Sequence, residues 1–463
     1  MAHARGGDFM FCDLCGTMMF LYSTECIECP LCKFKKSAKD VREREISYQV
    51  SSEDMRRDLG ISHFEGKMEV KDMEINKKCE RCGHTKLKFS TRQMRSADEG
   101  QTTFFHCANS LPVASNANVL KICGFDSIYQ LGDSISDTGN FIQESPSSVF
   151  ARFPYGEAFK NKSTGRCSDG MLMIDFFAMS AGLPLLDAYL NPNAAFGRGR
   201  GVNFAVAGST ALPVNVLAER KIQSPATNNS LSTQLDWMFT HFNSMCYNDQ
   251  DCAEKLKSSL FMVGEIGGND YKFALFQGKT MDEVKDMVPD VVQAIKEAVK
   301  RVISYGARRV VVPGIFPIGC FPIYLTGFRT NYTEAYDKFN CLKGLNKLST
   351  YHNDHLKQAI EELKKEHPHV AIAYGDYYNA FQWILSHASL LGFDAKSVQN
   401  ACCGTGGDYD FSLRTMCGDH GVPVCGQPRR YISWDGVHLT QKAYQNMAVW
   451  ILKDIFPKLQ CSF

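Results

Sequence analysis

The stretch Leu131-Gly132-Asp133-Ser134-Ile135-Ser136-Asp137-Thr138-Gly139-Asn140 follows directly on a short apolar run, Ser127–Leu131. A strand that runs into Gly-Asp-Ser puts a small turn with a hydroxyl at its carboxyl end. The arrangement recurs: Ser259–Val263 is a second apolar run and leads into Gly264-Glu-Ile-Gly-Gly-Asn-Asp270. Arg309–Pro313 and His369–Tyr374 are predicted as further strands. Between them, Val284, Val288, Val291, Ile295, Val299 and Val302 keep a spacing of three or four, which predicts an amphipathic helix ending at Gly306. A long helix is predicted over roughly Glu334–Lys365 and a closing helix over Thr440–Phe456. Apolar strands alternating with amphipathic helices imply a parallel sheet covered on both faces. In such α/β folds the functional site lies at the carboxyl ends of the strands.

Four motifs lie at such positions. They are Gly132-Asp-Ser134, then Gly208 within Asn203-Phe-Ala-Val-Ala-Gly-Ser-Thr210, then Asn269, and finally Asp435 and His438 within Trp434-Asp-Gly-Val-His438. Taken singly, Ser134 reads as well as a helix cap, Gly208 as a turn and His438 as a surface imidazole. Together and in this order, the motifs resemble the GDSL family of SGNH hydrolases, over essentially all of 123–463. The stretches around Ser134 and Asn269 are close to the plant secreted esterase/lipase branch. The resemblance implies an SGNH-hydrolase-type parallel sheet with flanking helices. The Gly-x-Ser-x-Gly elbow of the competing α/β-hydrolase fold is absent.

Ester cleavage explains why these residue types belong together. A serine hydroxyl is a weak nucleophile until a base takes its proton, and His438 is the candidate base for Ser134. Asp435, three residues before His438, can hold the imidazole tautomer and stabilise the imidazolium. The resemblance implies an oxyanion hole made by the Ser134 and Gly208 backbone N–H groups and the Asn269 amide. Gly208 suits that role in this reading because a missing Cβ lets backbone approach substrate closely. The implied activity is carboxylic-ester hydrolysis through an acyl-enzyme, without a cofactor. Acyl transfer to an alcohol by the same serine is a variant, and the ester substrate is left open.

Cysteine usage divides the chain. Of 19 cysteines, eight fall in the first 107 residues. Cys12-x2-Cys15, Cys29-x2-Cys32 and Cys79-x2-Cys82 have metal-ligand spacing, with Cys26 and Cys107 besides. Paired CxxC turns can supply the four thiolates of a tetrahedral Zn²⁺ site. Cys26-x2-Cys29 is also a CxxC. Cys29 and Cys32 are the preferred ligands because Pro30 suits a knuckle turn, which leaves Cys26 as a spare. The later cysteines, among them Cys246, Cys252, Cys402, Cys403, Cys417 and Cys425, lack paired spacing and suit disulfides in an oxidising compartment. Sequons at Asn161, Asn228 and Asn331 agree with that compartment and would make the region a glycoprotein.

Residues 8–49 therefore read as a zinc ribbon, 50–78 as a charged linker and 79–107 as a second ribbon. This N-terminal segment resembles the small zinc-ribbon subunit of RNA polymerase I. Arg95-Ser-Ala-Asp98-Glu99 is similar to the hairpin that transcript-cleavage factors push into the polymerase active centre. The resemblance implies that Asp98 and Glu99 help to hold a metal ion for RNA cleavage, since hard cations favour oxygen ligands. The second ribbon is read as truncated: after Cys107 the CxxC spacing calls for a ligand at position 110, which is Ser110. Residues 108–122 resemble the tail of a signal peptide, with Ser115 and Ala117 at cleavage-site positions but no apolar segment before them. A fused transcript, a gene-model error or a true gene fusion would each account for the junction. Localisation is accordingly ambiguous, secreted for the hydrolase part and nuclear or nucleolar for the ribbon part.

The whole-chain charge excludes less than the motifs do. With 51 Lys+Arg against 50 Asp+Glu, the net charge of +1 argues against nucleic-acid binding through bulk positive charge. No apolar run approaches the ~18–20 residues of a membrane span. The partners implied are a small-molecule or lipid ester and, through the ribbons, RNA polymerase I.

Overall fold

The computed structural model describes residues 119–461 apart from 160, 195 and 197–199, parts of 12–37, and the strands 73–75, 87–92 and 102–106. The chain divides into two compact units, 1–73 and 74–463.

The larger unit is built on six parallel strands: β1 (Ser127–Leu131), β2 (Asp187–Ala188), β3 (Val202–Asn203), β4 (Ser259–Val263), β5 (Arg309–Pro313) and β6 (Ala371–Gly375). Every residue of β1 and β4 is buried, as a strand covered on both faces requires. The two lie side by side in register from Ser127↔Ser259 to Leu131↔Val263. The spatial order is β6-β5-β4-β1-β3-β2. From β1 the chain passes to the edge strand β2, returns to β3 beside β1, and then builds outward on the other side through β4, β5 and β6. A sheet that reverses direction this way opens a crevice at the carboxyl ends of its central strands.

The principal helices are α1 (Met173–Ala181), α2 (Leu231–Met245), α3 (Gly268–Phe276), α4 (Val288–Ser304), α5 (Lys343–Glu366), α6 (Tyr377–Ser386) and α7 (Gln441–Ile455). In one packed group α4 touches both α2 and α5; in another α7 touches both α1 and α6. The strands Ser127–Leu131, Ser259–Val263 and Arg309–Pro313 fall where the sequence predicts them, and the last strand begins two residues later than His369.

Two helices differ from expectation for local reasons. The valine-spaced segment is two helices, Met281–Asp286 and α4, because Pro289 at the start of α4 has no N–H to continue the first. Once restarted, α4 buries Val288, Val291, Val292, Ile295, Val299 and Val302. The long helix α5 begins at Lys343 rather than near Glu334. There the Asp337 carboxylate accepts the N–H groups of Phe339 (2.8 Å) and Cys341 (3.0 Å), and Asn340 takes φ 58°. Asp and Asn favour such turns over helix.

Ten cysteines pair in this region: Cys123–Cys461, Cys246–Cys252, Cys320–Cys341, Cys402–Cys425 and Cys403–Cys417. Cys167 is buried and unpaired. Asn161, Asn228 and Asn331 are all exposed. Among the described residues no helix is long and apolar enough to cross a membrane.

In the N-terminal unit, strands Phe20–Leu21, Cys26–Glu28 and Lys35–Ser37 form a small antiparallel sheet. Cys12, Met19, Ile27 and Cys29 form its core, with Phe34 against them. Past the boundary of that unit, Leu87–Arg92 pairs antiparallel with Thr102–His106, in register at Phe89↔Phe105. Of the β-like stretch expected at Lys86–Phe89, Leu87–Phe89 opens that hairpin. Cys79, Cys82, Cys107, Asp98 and Glu99 lie outside the described residues, as does Ser110.

Candidate active site

Beyond Leu131 the chain turns at once. The Asp133 carbonyl accepts the N–H groups of Ser136 (3.2 Å) and Asp137 (3.0 Å), a turn that carries Ser134 past the end of β1. Gly132 has to be glycine because an added Cβ would lie 2.4 Å from the Gly264 carbonyl oxygen at the end of β4. The Gln234 amide of α2 fixes that glycine from both sides, accepting its N–H (2.8 Å) and donating to its carbonyl (2.7 Å).

His438 comes from the loop before α7, 304 residues away in sequence, and its Nε2 lies 2.8 Å from Ser134 Oγ. Its Nδ1 lies 2.6 Å from Asp435 Oδ2. Asp435 is placed by its own loop: Oδ1 accepts the N–H groups of Val437 (2.9 Å) and His438 (2.7 Å). Oδ2 also accepts the Tyr155 hydroxyl at 2.7 Å. Burial alone would raise the Asp435 pKa, but His438 and these hydrogen bonds outweigh it and hold the group at about 2. Ser134, Asp435 and His438 are all buried. The order Oγ–Nε2, Nδ1–carboxylate is the one a hydroxyl needs in order to pass its proton to an oriented imidazole.

Asn269 is the second residue of α3, and Gly267 at φ 100° turns the chain from the β4 loop into that helix. The Asn269 amide donates to the Ser209 carbonyl at 2.8 Å and lies 3.4 Å from Asp133 Oδ2. Two contacts set the 207–209 segment beside Ser134. Asp137 Oδ2 accepts the Ala207 N–H at 2.8 Å, while its other oxygen accepts Gly139 and Asn140. The Gln234 amide reaches Ser209 Oγ at 3.0 Å. Among the described residues, neither the Ser134 N–H nor the Gly208 N–H has an acceptor. Two unspent backbone donors and a nearby amide are what a developing oxyanion requires.

The geometry gives Gly208 a different reason from the expected one. Its φ is 85°, and an added Cβ would lie 2.3 Å from Ala226 Cβ. Its lack of a side chain answers to the protein's own packing rather than to the approach of substrate.

Several supporting residues were not singled out from sequence. Asp137 and Asn140 stand in the opening stretch, but a Ser-x-x-Asp-x-Gly-Asn run reads locally as a turn. Tyr155 contacts Asp435 across 280 residues, and no local pattern announces it. Backbone bonds from Cys402 to Ser433 (3.1 Å) and from Cys403 to Trp434 (2.7 Å) tie the Asp435–His438 loop to a segment closed by two disulfides.

Ser134 faces a cleft of ≈ 640 Å³, counted with its open mouth, between the strand ends and the segment Ile315–Tyr324. Its walls are largely apolar and aromatic, with Asp133, Glu265, Asn269 and Lys272 the polar members besides Ser134. Burial pushes Asp133 up to about 6 and Glu265 to about 7. Glu265 accepts the Tyr377 hydroxyl on one oxygen; the other is sealed from solvent.

In the N-terminal unit, the thiol sulfurs of Cys12, Cys15, Cys29 and Cys32 all lie within 4.8 Å of one another. The closest pairs are Cys12–Cys32 at 3.3 Å and Cys15–Cys29 and Cys15–Cys32, each at 3.5 Å. Zn–S bonds of about 2.3 Å in a tetrahedron put sulfurs about 3.8 Å apart, so the set fits zinc. Lys33 at φ 61° and the Cys29 N–H to Phe34 carbonyl bond (2.9 Å) make the second knuckle. Cys26 stays out of the cluster, its thiol 3.7 Å from the Ile27 carbonyl.

Comparison with known proteins points the same way. The GDSL-like lipase/acylhydrolase family matches residues 128–451, and the transcription factor S-II (TFIIS) zinc ribbon matches 77–109. Acetylajmalan esterase of Rauvolfia serpentina is 43% identical over 367 residues, which is 79% of this chain and 94% of that protein. Acetylajmalan esterase 2 of the same plant is 46% identical over 363 residues, 77% of this chain and 98% of its own. A GDSL esterase/lipase of Arabidopsis thaliana is 45% identical over 341 residues, 73% and 92% of the two chains.

Proposed function

Because the chain belongs to the GDSL-like lipase/acylhydrolase family and is a carboxylic ester hydrolase, we propose that it cleaves esters through an acyl-enzyme on Ser134. His438 Nε2 takes the Ser134 proton as Oγ bonds to the ester carbonyl carbon, and the carbonyl electron pair moves onto oxygen. The Ser134 and Gly208 N–H groups and the Asn269 amide stabilise that oxyanion. When it collapses the C–O bond to the alcohol breaks, and His438 returns the proton to the leaving oxygen. Water then repeats the sequence and releases the carboxylic acid. Asp435 keeps the Nδ1 proton in place and stabilises the imidazolium, and Tyr155 helps to hold Asp435.

What supports this reading above all is the unbroken chain of 2.8 and 2.6 Å contacts from Ser134 Oγ through His438 to Asp435. The test is p-nitrophenyl acetate turnover by Ser134→Ala, expected to fall by about 10³-fold or more. An unchanged rate would overturn the proposal.

For the N-terminal segment we propose a zinc-binding module of the RNA polymerase I small-subunit type, spanning 8–49 and 79–107 and joined through 50–78. Four thiolates at Cys12, Cys15, Cys29 and Cys32 would hold a structural Zn²⁺, which cross-links a segment whose other buried apolar side chains, among the described residues, are Met19 and Ile27. The TFIIS-type match at 77–109 supports the second ribbon, where Cys79, Cys82 and Cys107 are the candidate ligands and Asp98 and Glu99 the candidate acidic hairpin. Co-purification with polymerase I is the expected outcome, and its absence from a nuclear extract counts against the reading. We assign residues 123–463 to an oxidising, glycosylating compartment, supported by five disulfides and three exposed sequons. A glycosidase-sensitive mass for that region is the check.

A further inference from the structure

Among the described residues, the cleft at Ser134 is lined by one cation. Lys272 lies three residues beyond Asn269 on α3, a spacing that puts both on one helix face, and both line the cleft. Lys272 is half-buried, and Phe321, Tyr324 and Ile318 line the same cleft. The ammonium sits 4.9 Å from the centre of the Phe273 ring and makes no hydrogen bond or ion pair with the described residues.

The neighbouring carboxyl groups are engaged elsewhere. Asp133 Oδ1 accepts the Ile135 N–H at 3.0 Å, and Oδ2 faces the Asn269 amide at 3.4 Å. Glu265 is bound by Tyr377, and its second oxygen is closed off from the cleft. Asp133 and Asp435 act on Lys272 through space and favour its charged form, but neither closes an ion pair with it. Burial nonetheless lowers the Lys272 pKa, the sign of an ammonium taken from water without full compensation. Keeping an unpaired ammonium against apolar walls costs free energy, and a ligand that brings the counter-charge recovers it. The walls meanwhile ask for an apolar body, and the space exceeds what an acetyl group fills.

We propose that Lys272 is a specificity-determining residue that selects esters carrying a carboxylate on an otherwise apolar body. The inference rests on the reading of Ser134 as nucleophile, since the cleft is the substrate site only on that reading. The carboxylate can sit on either side of the scissile bond, and two substrate pairs separate the cases. On the acyl side, p-nitrophenyl hydrogen glutarate is compared with its neutral isostere p-nitrophenyl 5-methylhexanoate. On the alcohol side, 3-acetoxybenzoate is compared with 3-nitrophenyl acetate.

For one pair, the ratio of kcat/KM for the charged over the neutral ester is expected to drop roughly tenfold or more in Lys272→Met, mainly through KM. Lys272→Arg should keep most of the wild-type ratio, and thermal melting should show both variants folded. A ratio that is the same in wild type and Lys272→Met for both pairs overturns the inference while leaving the esterase reading intact. Turnover that survives in Ser134→Ala overturns the esterase reading and this inference with it.

Discussion

The two regions use cysteine in opposite ways. Residues 12–32 bring four thiols within 4.8 Å of one another, whereas residues 123–461 close five disulfides. A thiolate cluster needs reduced sulfur and a structural disulfide needs the reverse, so no single redox poise suits both. The regions also differ in what their cross-links serve. Among its described residues the Cys12–Cys32 segment has a core of four buried side chains, and on the zinc reading it would rely on metal for its fold. The hydrolase region has a large core of its own, and two of its disulfides brace the loop that carries Asp435 and His438.

If all the ester chemistry is housed in the second region, every large effect on turnover must arise there. After removal of the nucleophile itself, the largest is expected from Asp435→Asn, which leaves the shape but removes the acceptor that holds the His438 tautomer. A fall in kcat of about 10⁴-fold is expected on p-nitrophenyl acetate. Asn269→Ala should cost about 10²–10³-fold in kcat with little change in KM, because an oxyanion donor acts on the transition state. A loss confined to KM would remove Asn269 from that role.

Smaller effects sharpen the contrast in cross-links. Replacing Cys403 and Cys417 together by Ser should destabilise the hydrolase region by about 2–5 kcal/mol, read by thermal melting, and lower turnover through the loop it braces. Serine at Cys12 and Cys15 should remove the zinc held by the first ribbon, measured as a drop in bound metal, while ester turnover stays within a factor of two. A collapse of turnover in that variant would break the comparison.

The smallest effect concerns Glu265. Its folded pKa, about 7, lies above the ordinary carboxylate range of about 4, so the buried acid binds its proton more tightly in the folded state. Its contribution to stability is therefore full below about pH 4 and lost as pH rises through 7. Gln cannot ionise. The Tm of Glu265→Gln relative to wild type should climb by a few degrees between pH 5 and pH 8. A flat difference across that range would contradict the assignment.

Local features were legible. β1 and β4 were readable as uninterrupted apolar runs, and the two CxxC pairs announced a thiol cluster because their ligands lie on adjacent short turns. Helix starts were less so: Pro289 divides one periodic pattern into two helices, and Asp337 holds residues before Lys343 in a turn. Gly208 was recognisable as special, but its reason, the approach of Ala226, comes from a segment eighteen residues on and has no local signature.

By itself, the sequence determined the strands, the residue types at their ends and the spacing of the paired cysteines, because periodicity and short-range spacing act over a few residues. It also carried the order Ser134, Gly208, Asn269, Asp435, His438 along the chain. Only the tertiary structure decided which oxygen of Asp435 faces His438, that Tyr155 shares it, which late cysteines pair, and that Lys272 enters the cleft beside Ser134. Those contacts span tens to hundreds of residues, and only the packing of the sheet against its helices brings them together.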